Sequence, residues 1–222
     1  MRSTSAVLRF SRGRRPLRRN VATDKQRAAD GVSRRAVLGV AALGALVATR
    51  LVGRLVRLAD AFASPSKAQD VRILQLVLQL EYTHVAFYEQ ALQKASLQGE
   101  LRTFAQTALG HERAHVAAIK GALGPKAGPR PSFDFGPAVR NPDEFKQAAI
   151  KLEDIAIAGY NGQATNLTAG TLAAAAKIVS VEARHASWVR TLAGEVAAPE
   201  AVDKPMTAKQ VSDALREIGL KA

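Results

Sequence analysis

Residues 68–94, which read AQDVRILQLVLQLEYTHVAFYEQALQK, decide the fold of this 222-residue chain. Apolar side chains recur there at the three- and four-residue spacing of one helix face, and neither Gly nor Pro interrupts them. The apolar positions are Ile73, Leu76, Val77, Leu80, Val85, Tyr88 and Leu92. The pattern predicts one long helix whose apolar face packs against other helices.

Three more long helices are predicted downstream, at about residues 101–123, 142–164 and 171–193. The helix at 142 follows Asn141, a capping residue, and has a proline at its first position. A short helix at 207–218 is predicted to pack on the outside. No stretch has the pattern of a strand, because β-branched residues occur singly within periodic apolar faces. The chain is therefore predicted to be all-α.

The lengths of the connections predict the topology. Short breaks join the first long helix to the second and the third to the fourth, so each pair should form an antiparallel hairpin. The connection 124–141 is rich in Pro and Gly. At roughly 3.3 Å per residue it reaches about 60 Å, whereas a helix of about 23 residues is roughly 35 Å long. These lengths allow a four-helix bundle with one long crossover.

Carboxylate and imidazole side chains repeat along these helices. Three of the four His residues, His84, His115 and His185, follow a Glu by three residues. With ten Glu in 222 positions, chance rarely produces that neighbour three times in four. Three-residue spacing places both side chains on one helix face, roughly 5 to 6 Å apart at Cβ. Each pair is therefore close enough to share a metal centre.

The donor pattern occurs twice. In each predicted hairpin the first helix has a Glu within an apolar run, and the second has a Glu-x-x-His 31 or 29 residues later. The first helices also match each other: Leu80-Glu81, Ala86 and Tyr88 recur as Leu152-Glu153, Ala158 and Tyr160 at an offset of 72. This similarity indicates an internal duplication.

These donors resemble the ligand set of ferritin-like di-iron and di-manganese carboxylate proteins, in which two helices each supply a Glu and two each supply a Glu-x-x-His. The resemblance covers about residues 68–195, and LEYTHVAFYEQAL is similar to exported, desiccation-related ferritin-like proteins. It implies a ferritin-like four-helix bundle with one long crossover and a short C-terminal helix, in a domain at 64–222. It also implies two iron or manganese ions, with Glu81, Glu112, His115, Glu153, Glu182 and His185 as ligands.

The histidines outside this set have several interpretations. His84 is a candidate seventh ligand, a hydrogen-bond donor to a ligand Glu or a satisfied core residue, and relatives often have Glu at this position. His111 directly precedes Glu112, about 100° round the helix, and is expected to lie outside the site.

The aromatic residues near the donors have two interpretations each. Tyr88 and Tyr160 lie seven residues after Glu81 and Glu153, so each phenol either bonds a carboxylate or packs in the core, and the second is favoured. Trp188, three residues after His185, either relays electrons or fills the core, and we expect the second.

An interpretation without metal is also available for the acidic and imidazole residues. They would then face solvent or form buried salt bridges with Arg113, Arg184 and Lys151. Four carboxylates facing one apolar core would repel one another and would each cost several kcal/mol in desolvation, so they need compensating charge. Two divalent cations provide it, which favours the metal-binding interpretation.

The amino-terminal segment 1–63 is interpreted as an export signal. It is rich in Arg and contains Ser33-Arg34-Arg35, then the apolar run 36–49 and the cleavage-like triplet Ala61-Phe62-Ala63. The arrangement resembles a twin-arginine signal, which implies a periplasmic, envelope or extracellular protein. An organelle transit peptide and an uncleaved basic membrane-surface helix are the alternatives. Contact with a membrane is expected only through this segment.

The charge distribution argues against nucleic-acid binding. The chain has a formal charge of +13, but residues 1–63 contain 14 Lys and Arg against 3 Asp, leaving 18 basic and 16 acidic residues in 64–222.

Taken together, the donor pattern, the resemblance and the amino-terminal segment predict an exported dinuclear metal protein that reacts with O2 or peroxide, as a ferroxidase, peroxidase or oxidase. A non-catalytic metal-binding stress or desiccation protein of the envelope is the alternative.

Overall fold

The computed structural model describes residues 64–221. Within that range five α-helices follow one another: α1 Lys67–Lys94, α2 Gly99–Leu123, α3 Pro142–Gln163, α4 Ala169–Leu192 and α5 Ala208–Ile218. The prediction of an all-α chain is confirmed, and the helix bounds lie within about two residues of those predicted from sequence. None of these helices has the length and apolar content to cross a membrane.

The four long helices form a bundle of two hairpins. Helix α1 packs along α2 and α3 along α4, while α1 also lies beside α3 and α2 beside α4. Ser66 and Asn141 cap α1 and α3 by accepting hydrogen bonds from backbone N–H groups of the first turn. The inward faces supply a continuous apolar core that includes Leu80, Phe104 and Leu152. These inward faces also carry the acidic and imidazole residues.

The connection between the hairpins runs along α1. The backbone N–H of Gly128 donates to Oε1 of Gln75, near the start of α1, and Phe135 packs edge-on against Phe87, near its end. Two 3₁₀ turns, Gly124–Lys126 and Gly136–Val139, shape the segment. The chain therefore travels the length of the bundle before α3 begins, which confirms the predicted crossover.

The prediction that the chain has no strand is wrong in one small detail. Ser132–Phe133 (β1) pairs antiparallel with Leu220–Lys221 (β2). Gly219 turns the chain into β2 with φ 141°, and a Cβ there would lie 2.4 Å from the carbonyl oxygen of Asp134. Two residues are too few to give a periodic signal, so only the tertiary contact reveals this pairing.

Helix α5 closes one side of the bundle, as predicted. Val211 and Leu215 are fully buried against the main core. The segment before α5 approaches α3 so closely that a Cβ on Gly162 would lie 1.8 Å from the carbonyl oxygen of Met206. The absence of a side chain at Gly162 therefore allows this contact.

Asp70 joins the start of α1 to the start of α4. Its carboxylate accepts hydrogen bonds from the backbone N–H of Thr168, at 2.9 Å, and from the hydroxyls of Thr168 and Thr171. Thr168 precedes α4 and does not cap it with its own side chain, so Asp70 caps this helix from the start of α1. Burial opposes ionisation of Asp70, but the bonds from Thr168 and Thr171 outweigh it and hold its pKa below the usual value.

Replacement of Asp70 by Ala should lower the free energy of unfolding by about 1 to 3 kcal/mol at pH 7, because three donors lose a charged acceptor. Because the folded-state pKa is depressed, the advantage of the native residue is full above the unfolded-state pKa of roughly 4 and shrinks as the pH falls further. Urea unfolding of the metal-free chain between pH 3 and 7 measures both effects. Asp203→Ala, in an exposed loop, is the control and should change stability by less than about 0.5 kcal/mol.

Candidate metal centre

Ionisable side chains from all four long helices meet in the middle of the bundle. Glu residues stand on the inward faces of α1 to α4, and each is 0% exposed. The imidazoles are nearly as deep, with His84 at 0%, His185 at 2% and His115 at 8% exposure. The three-residue spacing in α2 and α4 directs each Glu and its His to the same side, as the sequence predicts. The four Glu are Glu81, Glu112, Glu153 and Glu182.

The donor atoms form two overlapping groups, each with atoms within 4.8 Å of one another. Glu112 and Glu182 belong to both groups. The first half of the site adds Glu81 and His115, and the second half adds Glu153 and His185. The structure thus brings together all six residues that the family resemblance implied as ligands. Each group could hold a metal ion, and the two groups have two carboxylates in common.

The first half is assembled around His115. Its Nδ1–H donates to Oε2 of Glu112 at 3.1 Å, and the same nitrogen lies 2.9 Å from Oε1 of Glu182 and 3.5 Å from Oε2 of Glu81. One imidazole nitrogen therefore faces carboxylates from α1, α2 and α4 at once.

The second half is assembled in the same way around His185. Its Nδ1 lies 3.2 Å from Oε1 of Glu112, 3.5 Å from Oε2 of Glu153 and 3.7 Å from Oε2 of Glu182. None of these approaches has the alignment of a hydrogen bond. In each half, Nδ1 of the motif histidine thus faces three carboxylates.

The site contains unpartnered polar atoms, which test whether its residues suit a metal. Seven buried side-chain atoms in the described part of the chain have no hydrogen-bond partner, and all belong to this cluster. They are Glu81 Oε2, His84 Nε2, Glu112 Oε1, Glu153 Oε2, both carboxylate oxygens of Glu182 and His185 Nδ1. Buried polar groups are normally paired, so oxygen and nitrogen lone pairs left over at one point fit metal ligands.

The protein alone compensates part of the negative charge. Burial disfavours charged imidazoles, but the carboxylates around His115 and His185 raise the pKa of each to about 12. Burial, with the nearby Glu112 carboxylate, raises the pKa of Glu81 to about 7. Burial also raises the pKa of Glu153. Protons therefore occupy the metal-free cluster at neutral pH, and bound metal would have to displace them.

Two tyrosines connect α1 and α3 across the bundle. Tyr160 on α3 donates to Oε1 of Glu81 on α1 at 2.5 Å, and Tyr88 on α1 donates to Oε1 of Glu153 on α3. Of the two interpretations offered by the sequence, the structure therefore shows hydrogen bonding to the carboxylates. Burial and the adjacent carboxylates raise the pKa of both phenols well above 10, so both remain proton donors.

The other histidines also contact the cluster. His84 lies on the second half, with Nε2 3.9 Å from Oε2 of Glu153. His111, expected to lie outside the site, stacks on His185 with Nδ1 2.9 Å from its Nε2. The predicted position of His111 on the face of α2 beside that of Glu112 was correct. His185 on α4 contacts His111 from the neighbouring helix, and the sequence of α2 alone does not reveal this contact.

The salt-bridge interpretation does not describe these residues. Arg113 pairs with Glu89, at 2.9 Å, and Lys151 lies 3.8 Å from Glu217. Arg184 is exposed. The buried carboxylates contact imidazole and phenol groups instead of the basic residues that this interpretation required.

Trp188 lies at the edge of the core. Its Nε1–H donates to Oε1 of Glu100 at 3.1 Å, and its ring packs edge-on against Phe104, which in turn contacts the ring of His185. The expected packing role fits this position.

Comparison with known proteins agrees with the architecture. The sequence model of a protein family described as a ferritin-like domain matches residues 69–195, which span α1 to α4. No curated protein matches the chain. The match covers more than half of the chain and includes every residue of the two donor groups. The chain therefore belongs to the ferritin-like domain family.

Proposed function

We propose that this protein holds two iron or manganese ions in the bundle and reacts with O2 or peroxide. The observation that supports the proposal is the pair of overlapping donor groups, in which buried carboxylate and imidazole atoms from four helices converge without enough hydrogen-bond partners. Glu81 and His115 would hold one ion, Glu153 and His185 the other, and Glu112 and Glu182 would contact both.

The type of donor favours these metals. Oxygen and imidazole ligands without thiolate suit iron and manganese better than a sulfur-rich zinc site, and the chain has no Cys. Two divalent ions would neutralise four carboxylates that otherwise repel one another in an apolar core. Iron or manganese bound here would supply one-electron redox steps toward O2 or peroxide.

The residues of the chain perform the remaining tasks. The buried donors fix the ligand positions from four rigid helices, which limits reorganisation when ions bind. The apolar core keeps bulk water away from the centre. Tyr160 and Tyr88 orient Glu81 and Glu153 through hydrogen bonds and keep their protons at neutral pH.

A non-catalytic metal protein of the cell envelope is the second candidate. The observation in its favour is the depth of the donors, none of which is more than 8% exposed. Such a site would bind metal and stabilise the bundle without turnover, so reactivity toward oxidants separates the two candidates.

The proposal includes export by the twin-arginine route. Residues 33–35 and the apolar run that follows lie outside the described residues, so this part rests on the sequence pattern. A route that carries folded proteins would suit a centre that must receive its metal before secretion.

Metal analysis tests the dinuclear site directly. The chain purified without added metal, then loaded anaerobically with Fe(II) or Mn(II), should bind about two ions and release protons as it does so. Glu112→Ala with Glu182→Ala should abolish binding, because these residues serve both halves. Glu81→Ala should remove or weaken one ion only. A matched control is Glu144→Ala with Glu217→Ala, which removes two exposed carboxylates and should leave two ions bound.

Reaction of the loaded protein with O2 or peroxide separates the candidate functions. Stopped-flow absorption should show metal oxidation faster than for free ions under the same conditions. Two bound ions with no such reaction would leave the non-catalytic candidate. No uptake of either metal would contradict both.

The tyrosine hydrogen bonds should affect metal affinity. Tyr160→Phe leaves Oε1 of Glu81 without its donor, and loss of such a supporting contact typically weakens metal binding by roughly 10 to 100-fold. Calorimetric titration with Mn(II) measures this effect. Tyr82→Phe is the matched control, because that hydroxyl faces the carbonyl oxygen of Gly128 in the crossover. Equal affinity in the two variants would show that the Tyr160 phenol only packs.

Export should depend on the paired arginines. Arg34→Lys with Arg35→Lys should retain the full-length chain inside a bacterial host, because the twin-arginine pathway recognises this pair. Arg18→Lys with Arg19→Lys preserves the same charges upstream and should leave export unchanged. Fractionation and immunoblotting provide the measurement, and equal export of the two variants would contradict the assignment.

A further inference from the structure

His84 is the buried donor that the six-ligand arrangement leaves unused. We propose that His84 is an additional ligand in the second half of the site, so that the two ions are inequivalent and exogenous molecules bind in the first half. This inference rests on the proposed dinuclear centre and adds to it which half reacts and what kind of molecule enters.

The hydrogen bonding of His84 prepares it as a ligand. Its Nδ1 lies 2.9 Å from the carbonyl oxygen of Leu80, and since a carbonyl oxygen only accepts, Nδ1 carries the hydrogen. The other nitrogen, Nε2, has no hydrogen-bond partner and lies 3.9 Å from Oε2 of Glu153. An imidazole that donates one N–H to a carbonyl and directs its other nitrogen at the centre is typical of metal-binding histidines.

The internal duplication shows that the first half lacks this donor. The offset of 72 that relates Glu81 to Glu153 and Tyr88 to Tyr160 relates His84 to Ala156. Ala156 is fully buried, and its methyl group offers no ligand atom. The two halves therefore match in carboxylates, in the Glu-x-x-His histidines and in tyrosines. They differ in two imidazoles: His84, whose Nε2 has no partner and lies near Glu153, and the exposed His111, whose Nδ1 lies 2.9 Å from Nε2 of His185.

Aromatic packing closes the second half. The ring of Phe104 packs edge-on against His185 with centroids 6.4 Å apart. Tyr88 packs on Phe104 and on Phe145, and all three rings are fully buried. A centre already supplied with an extra ligand is thus covered by a wall of side chains.

An apolar pocket lies beside the first half. Its volume is about 220 Å³, and it contacts Tyr160, which bonds Glu81. Its wall includes three apolar residues that each lie four positions, about one helical turn, from Glu81, His115 or Glu182. They are Val77, Ile119 and Ile178. The pocket therefore lies about one helical turn from the donors of the half that has one ligand fewer.

The size and lining of the pocket define what it admits. At roughly 30 Å³ per water-sized group, it holds about seven such groups. Alanines from α2 and α4, including Ala118 and Ala174, make half of the remaining wall, and Lys67 and Thr171 are its polar members. The class of ligand is therefore O2, peroxide or a small apolar organic molecule, and not a large or highly charged substrate.

Cobalt(II) tests the role of His84 without requiring activity. The full-length, metal-free chain loaded with two Co(II) should give a hyperfine-shifted proton NMR signal for the Nδ1–H of His84, slow to exchange with D2O because the ring is buried. The signal should be absent from His84→Gln. Stepwise Co(II) affinities, distinct in the native chain, should converge as the tighter one weakens by roughly 10 to 100-fold.

Thr83→Val is the matched control, since Thr83 is a fully buried neighbour on α1 whose hydroxyl bonds only the carbonyl oxygen of Gln79. It should keep the signal and both affinities. Two bound Co(II) without a signal from His84 would overturn this inference and leave the dinuclear centre intact. Absence of Co(II) binding would overturn the proposed function itself. The Co(II) content of His84→Gln shows whether that variant has folded, and its spectrum is compared with that of the native chain at two bound Co(II).

Azide tests which half is open. One azide should bind the di-cobalt protein and change its visible spectrum. Ala118→Trp places a large ring at the pocket and should slow azide binding at least tenfold, whereas Ala117→Trp, equally exposed on the same helix but outside the pocket lining, should not. Equal rates in the two variants would overturn the assignment of the pocket as the entrance.

Discussion

Glu81, Glu112, Glu153 and Glu182 lie inside the bundle with no exposed surface, and their mutual repulsion is the interaction on which the rest of the centre depends. Each ionised carboxylate buried alone would cost several kcal/mol. The chain lessens this cost in three ways: imidazoles with raised pKa values face the carboxylates, Glu81 titrates near neutral pH, and two phenols donate hydrogen bonds. These partners still leave seven buried atoms unpaired. The cluster is therefore suited to cations, and the architecture supplies walls rigid enough to hold it.

The bundle can bury this charged cluster because the contacts that stabilise the fold lie outside it. Phe87, Phe104 and Phe145 fill the core beyond the second half, and α5 adds Val211 and Leu215 on the side. Asp70 joins the start of α1 to the start of α4 at one end of the bundle. Apolar burial and helix capping thus provide stability above and below a polar layer that contributes little or opposes folding when no ion is bound.

Most of this architecture could be predicted from sequence because it depends on local periodicity. Helix bounds follow from apolar spacing and from caps such as Asn141, and the Glu-x-x-His spacing fixes which side chains share a face. The sequence did not predict contacts between segments that lie far apart in the chain. His111 meets His185 across two helices, Asp70 caps a helix that begins about a hundred residues later, and the β1–β2 pair joins the crossover to the carboxyl terminus. No periodicity encodes such contacts. The tyrosine hydrogen bonds could be predicted in part. The repeat shows that each tyrosine shares a helix face with a Glu, but it does not show that each phenol bonds the Glu of the other helix.

The internal duplication explains why the donor pattern occurs twice, and it makes the difference between His84 and Ala156 recognisable. Two similar hairpins supply equal sets of candidate donors, so symmetry alone would give two bound ions the same surroundings. Symmetry is broken by His84, whose counterpart is Ala156, and by the surroundings, since aromatic rings cover one half and an apolar pocket lies beside the other. Both differences favour the same half for exogenous ligands, although one concerns a donor and the other concerns access. In the proposed dinuclear centre, the ion in the second half would be enclosed and the ion in the first half would be open to exogenous molecules. His84 and the apolar pocket would be enough to give the two ions these separate roles.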